Sequence, residues 1–452
     1  MITPFPCLTG RHLFGLVALV SVQAVFGQGV PLAWDQVQNY QYNLHQITQD
    51  LPAADGTRLY TVIFSVSNPL KPLDPPYDLL PPSTSTTFKT PAALRVDFAW
   101  NSGSWGTLEL LNTKDAPLLP VARSVVNGIV SSAGPSVASA VNALTASKRC
   151  SDAAAPPGCA QFGGSPLVFW VTTKIPANAT GTVRVAIEGH PSIQTGIDPI
   201  TKAAVFASIP VTSIFRDAPI GTATEFSRRK IVEFAKCQGC HDDRQHGDVV
   251  VPRLSLHGAN RNEEPGVCVM CHNANQTDGA YRTSGAEESV DFKRMIHGIH
   301  AGGMRRNPLV IIGRNGSVNN YSHVRFPAEL KNCLKCHIDV NGKGTFELPL
   351  ASPLGSTITT QSVLNVVPGQ IDVDPANDLR ISPIAATCSA CHDDSETRRH
   401  MVRMGASFGV VQSVLAGKEQ CVTCHGPGKS RDVRKEHGLK SEGRTTQRRG
   451  ED

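Results

Sequence analysis

Between residues 237 and 425 the chain spells C-x-x-C-H five times: CQGCH at 237–241, CVMCH at 268–272, CLKCH at 333–337, CSACH at 388–392 and CVTCH at 421–425. Two thiols three positions apart, with a histidine directly after them, form the arrangement that attaches a c-type haem. The cysteines add to the vinyl groups as thioethers and the imidazole becomes an iron ligand. Composition alone predicts only about 0.01 copies of this pattern in such a chain. A zinc knuckle or a disulfide loop accounts for one copy but not for five, and a thioredoxin-type C-x-x-C needs no trailing histidine. The expected cofactor is therefore five covalently attached haem c. The attachment points are Cys237, Cys240, Cys268, Cys271, Cys333, Cys336, Cys388, Cys391, Cys421 and Cys424, and the proximal ligands are His241, His272, His337, His392 and His425.

Each iron then takes a sixth ligand or keeps an open position, which separates an electron carrier from an enzyme. The same region holds His246, His257, His297, His300, His323, His400 and His437. Seven imidazoles for five positions favour bis-histidine ligation and low potentials, although Met401 or Met404 could ligate instead and raise a potential. In DFKRMIHGIH, Phe292, Met295, Ile296 and Ile299 make the apolar stripe of a helix that carries His297 and His300. Alone, these two could equally be surface histidines. Beside five haem motifs, positions three apart diverge by about 60° around the axis and are expected to reach two different irons. His257 in SLHGANR, His400 in RRHMVRMGASFG and His437 in KEHG complete the expected set, leaving His246 and His323 as spares with non-ligand roles. No C-x-x-C-K is present. The expectation is a non-catalytic electron-transfer protein. The alternative is a multihaem reductase with one open-site haem, and a filament building block has no sequence feature for or against it.

The elements that must position these groups fall into two parts. Residues 29–225 lack the motif and contain only Cys150 and Cys159. Alternating stretches recur there: YTVIFSV at 60–66, RVDFAW at 95–100, VFWVT at 168–172, TVRVAIE at 182–188 and VFASIPVTSIF at 205–215. In RVDFAW, Val96, Phe98 and Trp100 share one face and Arg95, Asp97 and Ala99 the other. Turn-rich links such as NPLKPLDPPYDLLPPS separate the stretches, so residues 28–225 are expected to form an antiparallel β-sandwich or split barrel. One helix is expected over PSVASAVNALTAS at 135–147, and His45 and His190 read as surface or turn residues. The boundary is expected near Ala218–Phe226, before a helix in RRKIVEFAK. A loop- and short-helix-rich pentahaem cytochrome c domain then occupies 226–440, giving a mixed fold with a disordered charged tail at 441–452. Residues 1–27 read as a signal peptide: Arg11 and His12 precede LFGLVALVSVQAVFG, which is too short for a transmembrane segment. No cysteine follows that run to carry a lipid, so an exported protein in the periplasm, at the outer-membrane surface or secreted is expected. A net charge of +5 with 18% charged residues leaves no footprint for nucleic acid. With ten haem propionates the holoprotein would sit near about −1 oxidised and about −6 reduced, suited to small transient redox encounters.

The local features RRKIVEFAKCQGCHDD, LHGANR ahead of CVMCHN, VDFKRMIHGIHAG, FPAELKNCLKCH and CVTCHGPGKSRDVRKEHG resemble, in this order, the OmcA/MtrC family of decahaem outer-surface cytochromes. Members of that family look like two repeats of a β-domain and a pentahaem domain, and this chain resembles one half. CSDAAAPPGC, with Cys150 and Cys159 in a C-x8-C pattern, points to the C-terminal half. The resemblance implies electron export to extracellular acceptors such as Fe(III) or Mn(IV) oxides or flavins. It implies partners among periplasmic or outer-membrane cytochromes, with a porin as a further candidate. It also implies a Cys150–Cys159 disulfide, either a plain staple worth roughly 2.7 kcal/mol on the loop-entropy model or a redox switch.

Overall fold

The computed structural model describes residues 31–80, 86–89, 91–102, 125–126, 129–130, 139–177, 179–222, 230–246, 249–274, 276–279, 281–340, 342–349, 355–360, 378–411, 415 and 419–439. The expected signal peptide and charged tail lie outside them, as does 223–229 within the expected boundary. The N-terminal part consists of strands β1 (Gln41–Gln49), β2 (Arg58–Ser67), β3 (Ala93–Ser102), β4 (Val125–Val126), β5 (Ile129–Val130), β6 (Ser139–Asn142), β7 (Lys148–Arg149), β8 (Phe169–Ile175), β9 (Ala179–His190), β10 (Ser192–Ile197), β11 (Ala204–Ser208) and β12 (Ile214–Pro219). Two four-stranded antiparallel sheets dominate, in the orders β1-β2-β8-β7 and β12-β9-β3-β6. Period-2 alternation puts Tyr60, Val62, Phe64 and Val66 of the first sheet against Val96, Phe98, Trp100, Val183, Val185 and Ile187 of the second. This is the sandwich core. In register, Phe64 faces Phe169 and Phe98 faces Val185.

Neither sheet leaves its other face bare. On the first, Ile63 and Trp170 pack under the loop joined by Cys150 and Cys159, whose Cα atoms lie 5.2 Å apart. Gly158 sits so close to this sheet that a Cβ would run into Ile63 and Gln46. On the second sheet, Ala99 and Ala186 pack against Val267 and Met270 of the C-terminal part.

Several expectations need correction. Of the expected 135–147 helix, 135–138 lie outside the described residues, 139–142 pair with β3 as strand β6, and one helical turn, α1 (Ala143–Ala146), follows. VFASIPVTSIF is two strands, interrupted where Pro210 cannot donate to a ladder. His190 is buried at the end of β9 rather than at the surface, and His45 is half-buried on β1, bonded to Ser65 and packed on Phe162. In the described part of RRKIVEFAK, from Lys230 on, the end is helical, in α2 (Phe234–Gln238).

The C-terminal part adds α3 (Pro265–Cys271), α4 (Phe292–Ala301), α5 (Pro383–Cys388), α6 (Ser395–Arg403), α7 (Val422–His425) and α8 (Val433–Glu436), joined by loops and short hairpins. Asp394 caps α6 by accepting from Glu396 and Thr397 amides at 3.0 and 2.9 Å, and Glu419 accepts from the first amides of α5 at 2.7 Å. Among the described residues no helix is long and apolar enough to cross a membrane.

Candidate haem-binding sites

All five C-x-x-C-H segments fold alike. In each, the histidine amide donates to the carbonyl of the first cysteine, at 2.8 Å for His241 and His425 and 2.9 Å for His272, His337 and His392. One helical turn therefore sets two thiols and an imidazole side by side. Burial pushes the thiols up, Cys237, Cys391 and Cys421 to about 11 and Cys268, Cys271 and Cys388 to about 12. That is the reverse of the lowered values that make a thioredoxin-type pair reactive.

Opposite each motif histidine stands a second histidine. Ring centres are 6.2 Å apart for His241 and His300, 6.0 Å for His272 and His257, 5.9 Å for His337 and His297, 6.1 Å for His392 and His437, and 6.3 Å for His425 and His400. Two imidazoles coordinating one metal from opposite sides, at about 2 Å per bond, have ring centres about 6.2 Å apart. Simple aromatic packing spans the same range. The pairing rule distinguishes the two, because every pair joins one motif histidine to one from elsewhere and no ring is used twice. His246 instead bonds to Asp242 at 3.0 Å, and His323 is exposed. Met401 is buried among Ile381, Ala385 and Ala406.

The backbone aims the rings. Nδ1 of His241 meets the Pro252 carbonyl at 2.9 Å and that of His272 the Val290 carbonyl at 3.1 Å. His300 and His437 bond the carbonyls of Ile296 and Val433 at 2.8 Å. His337 bonds Thr345 Oγ1 at 3.0 Å, which itself donates to the Ile231 carbonyl. With Nδ1 so engaged, Nε2 is the free donor toward the facing ring, the usual tautomer of a metal-bound histidine. Desolvation lowers the pKa of His241, His272, His297, His300 and His392, and that of His257 to about 3, keeping them in the neutral form that binds metal. Among the described residues no three His, Cys, Asp or Glu side chains converge as a metal cluster. Two axial imidazoles with two thiols beside one of them fit a covalently held haem, whose porphyrin brings the other four donors.

Helix α4 separates two of the sites. His297 faces the third motif and His300 the first, while the α4 amide of Phe292 donates to the carbonyl of His272 in the second. Charge interactions between thiols give the order of neighbours. Cys268 is close to Cys237, Cys237 to Cys336, Cys333 to Cys391 and Cys388 to Cys421. The thiols thus neighbour one another in the motif order second, first, third, fourth, fifth.

The second site is built against the β-domain. His257, Gly258 and Ala259 are successively left-handed, with φ of 54°, 70° and 68°. That costs roughly 1–2 kcal/mol for each non-glycine residue. The turn is held open by the Gly189 amide on Asn260 O at 3.0 Å, by Asn262 donating to Val211 O at 3.0 Å, and by Arg261 on Glu188 at 2.6 Å. The start of α3 is fastened by Arg184. Its guanidinium grips Asp217 at 2.6 and 2.7 Å, donates to Gly266 O at 2.9 Å and stacks 3.9 Å from Phe215. A Cβ on Gly266 would strike the Phe215 ring. None of Arg184, Asp217, Glu188 or Arg261 carries a sequence signal, because alternation in TVRVAIE places Arg184 and Glu188 on what reads as a solvent face.

Comparison with known proteins agrees with the motifs. Residues 229–438 match the family model described as outer membrane cytochrome MtrC/MtrF-like, domains II/IV. The multiheme cytochrome MtrC of Shewanella baltica (strain OS185) is 26% identical over 220 residues, covering 46% of this chain and 26% of that protein. The crystal structure of MtrC from Shewanella baltica OS185 covers 87% of this chain and 52% of its own, at 17% identity and a TM-score of 0.44. The chain thus spans about half of that solved structure, and its sequence match about a quarter of the relative.

Proposed function

From the premise that this chain resembles part of an MtrC/OmcA-family cytochrome, we propose that it is an exported multihaem electron-transfer protein carrying five bis-histidine haems c. The observation that carries the reading is the one-to-one pairing of five motif histidines with His300, His257, His297, His437 and His400 at 5.9–6.3 Å. Haem supplies a one-electron couple at each site. The chain's own residues favour the neutral form of His241, His257, His272, His297, His300 and His392 by burial, and aim five of the ten rings through Nδ1.

With two imidazoles facing each other at every motif, the residues that would hold the haems would leave no position at iron for a substrate. The role is therefore conduction to an outside acceptor, for which metal oxides and flavins are the candidates, from donor cytochromes. Residues 28–225 serve as the docking and supporting β-domain, 226–440 as the haem domain, and Cys150–Cys159 as its staple. The site of action is the periplasm, the outer surface or the medium.

The test is haem content by pyridine haemochrome together with a low-temperature electron paramagnetic resonance spectrum of the oxidised holoprotein. Five low-spin bis-imidazole haems are expected. A stoichiometric high-spin signal would replace conduction by a reductase with an open iron.

A further inference from the structure

The face of the second sheet that meets the second motif holds two buried acids side by side. Asp217 is neutralised bidentately by Arg184. Asp97 on β3 and Glu188 on β9 are only 2% and 1% exposed, and their carboxyl groups lie within hydrogen-bonding reach of each other. Two carboxyl groups make such a contact only with a proton between them. Among the described residues no other donor reaches Asp97 Oδ1 or Glu188 Oε1. Arg261 holds Glu188 Oε2 at 2.6 Å, while Arg95, cross-strand to Glu188 and half exposed, stays 3.9 Å away. The other groups facing the pair are the Tyr42 hydroxyl from β1 and Cys271 from α3. Burial, then mutual repulsion, raises Glu188, and burial raises Asp97. The field of Arg261 reaches both His257 and His272 as well as this pair.

We propose that Asp97 and Glu188 form a redox-linked proton site, which takes one proton from water when an electron arrives at the His257–His272 site and returns it when the electron leaves. The inference rests on the haem reading above. In the step the pair would pass from two carboxylates to one carboxylate and one carboxylic acid, taking one proton from water, as the haem that His257 and His272 would hold accepts one electron from the donor cytochrome. The charge of the buried cluster is thereby kept constant, which low-dielectric surroundings demand. Arg95, half exposed and 3.9 Å from Glu188, marks the side from which a proton would enter. Of the five sites, the one seated on the β-domain would respond most to pH.

The experiment is electrochemical reduction of the holoprotein in a thin-layer cell, from about pH 6 to about pH 9, followed by haem absorbance and infrared difference spectra. Haem count and spin state of the same sample test the haem reading separately. Reduction is expected to produce a protonated-carboxyl stretch that disappears in both Asp97→Asn and Glu188→Gln. One of the five potentials is expected to change by up to tenfold in electron affinity per pH unit, which for a one-electron couple is 59 mV. Arg95→Gln, at the edge of the pair, leaves the fold alone and should move proton uptake to higher pH. A five-haem, low-spin wild type with no reduction-linked carboxyl band overturns the proposal, as does a band unchanged in the folded variants.

Discussion

Arg184→Met is the perturbation that best separates a fastening from an ornament. The guanidinium and its Asp217 partner are 3% and 6% exposed, with two hydrogen bonds of 2.6 and 2.7 Å between them. Removing one member strands a buried carboxylate, which costs about 3–5 kcal/mol, whereas replacing both with apolar groups is often neutral. Losing the 2.9 Å bond to Gly266 O should cost about 1 kcal/mol more. For a domain of this size the total corresponds to a melting point lower by roughly 8–24 °C. The assay is thermal and guanidinium unfolding by far-ultraviolet circular dichroism, comparing wild type, Arg184→Met and the double variant Arg184→Met/Asp217→Leu. The double variant should recover most of the loss. A loss below about 1 kcal/mol in Arg184→Met would refute the reasoning, because the pair would then be behaving as a solvated surface bridge.

Replacing Cys150 and Cys159 by serine should lower stability by roughly 2.7 kcal/mol without changing haem content, measured by denaturant titration under oxidising conditions. Ring orientation should be visible in the magnetic spectrum. The His297 and His337 planes lie 6° apart, which splits the iron orbitals into a rhombic low-spin pattern, whereas 87°, 77° and 66° in three other pairs predict strongly anisotropic signals. His297→Ala should abolish the rhombic signal and give one high-spin haem, and His300→Ala should leave the rhombic signal in place. The pKa of Glu188 is raised to about 8 in the fold, so the folded state binds more protons than the unfolded chain from 4.5 upward. Its stabilisation is complete below 4.5 and lost as pH rises through about 8. Melting temperature against pH should therefore fall across that window and flatten in Glu188→Gln.

Chemistry was legible from spacing because C-x-x-C-H is a local device. One helical turn joins its parts, as the repeated bond from histidine amide to cysteine carbonyl shows at all five copies. The α4 pattern was equally readable: 3.6-residue periodicity alone separates the directions of His297 and His300. Strand alternation located β2, β3, β8 and β9, since inward and outward positions follow from the pleat. What lies on the outward face did not follow from it. Asp97, Ala99, Arg184 and Glu188 alternate as solvent-facing residues do, yet all four are buried because the turn carrying His257 and the start of α3 close over them. Which histidine faces which motif, the order in which the motif thiols neighbour one another and the acid pair beside the second motif are likewise set by contacts between segments far apart in sequence. Periodicity reports one element's own geometry, and only packing decides which of its faces meets another.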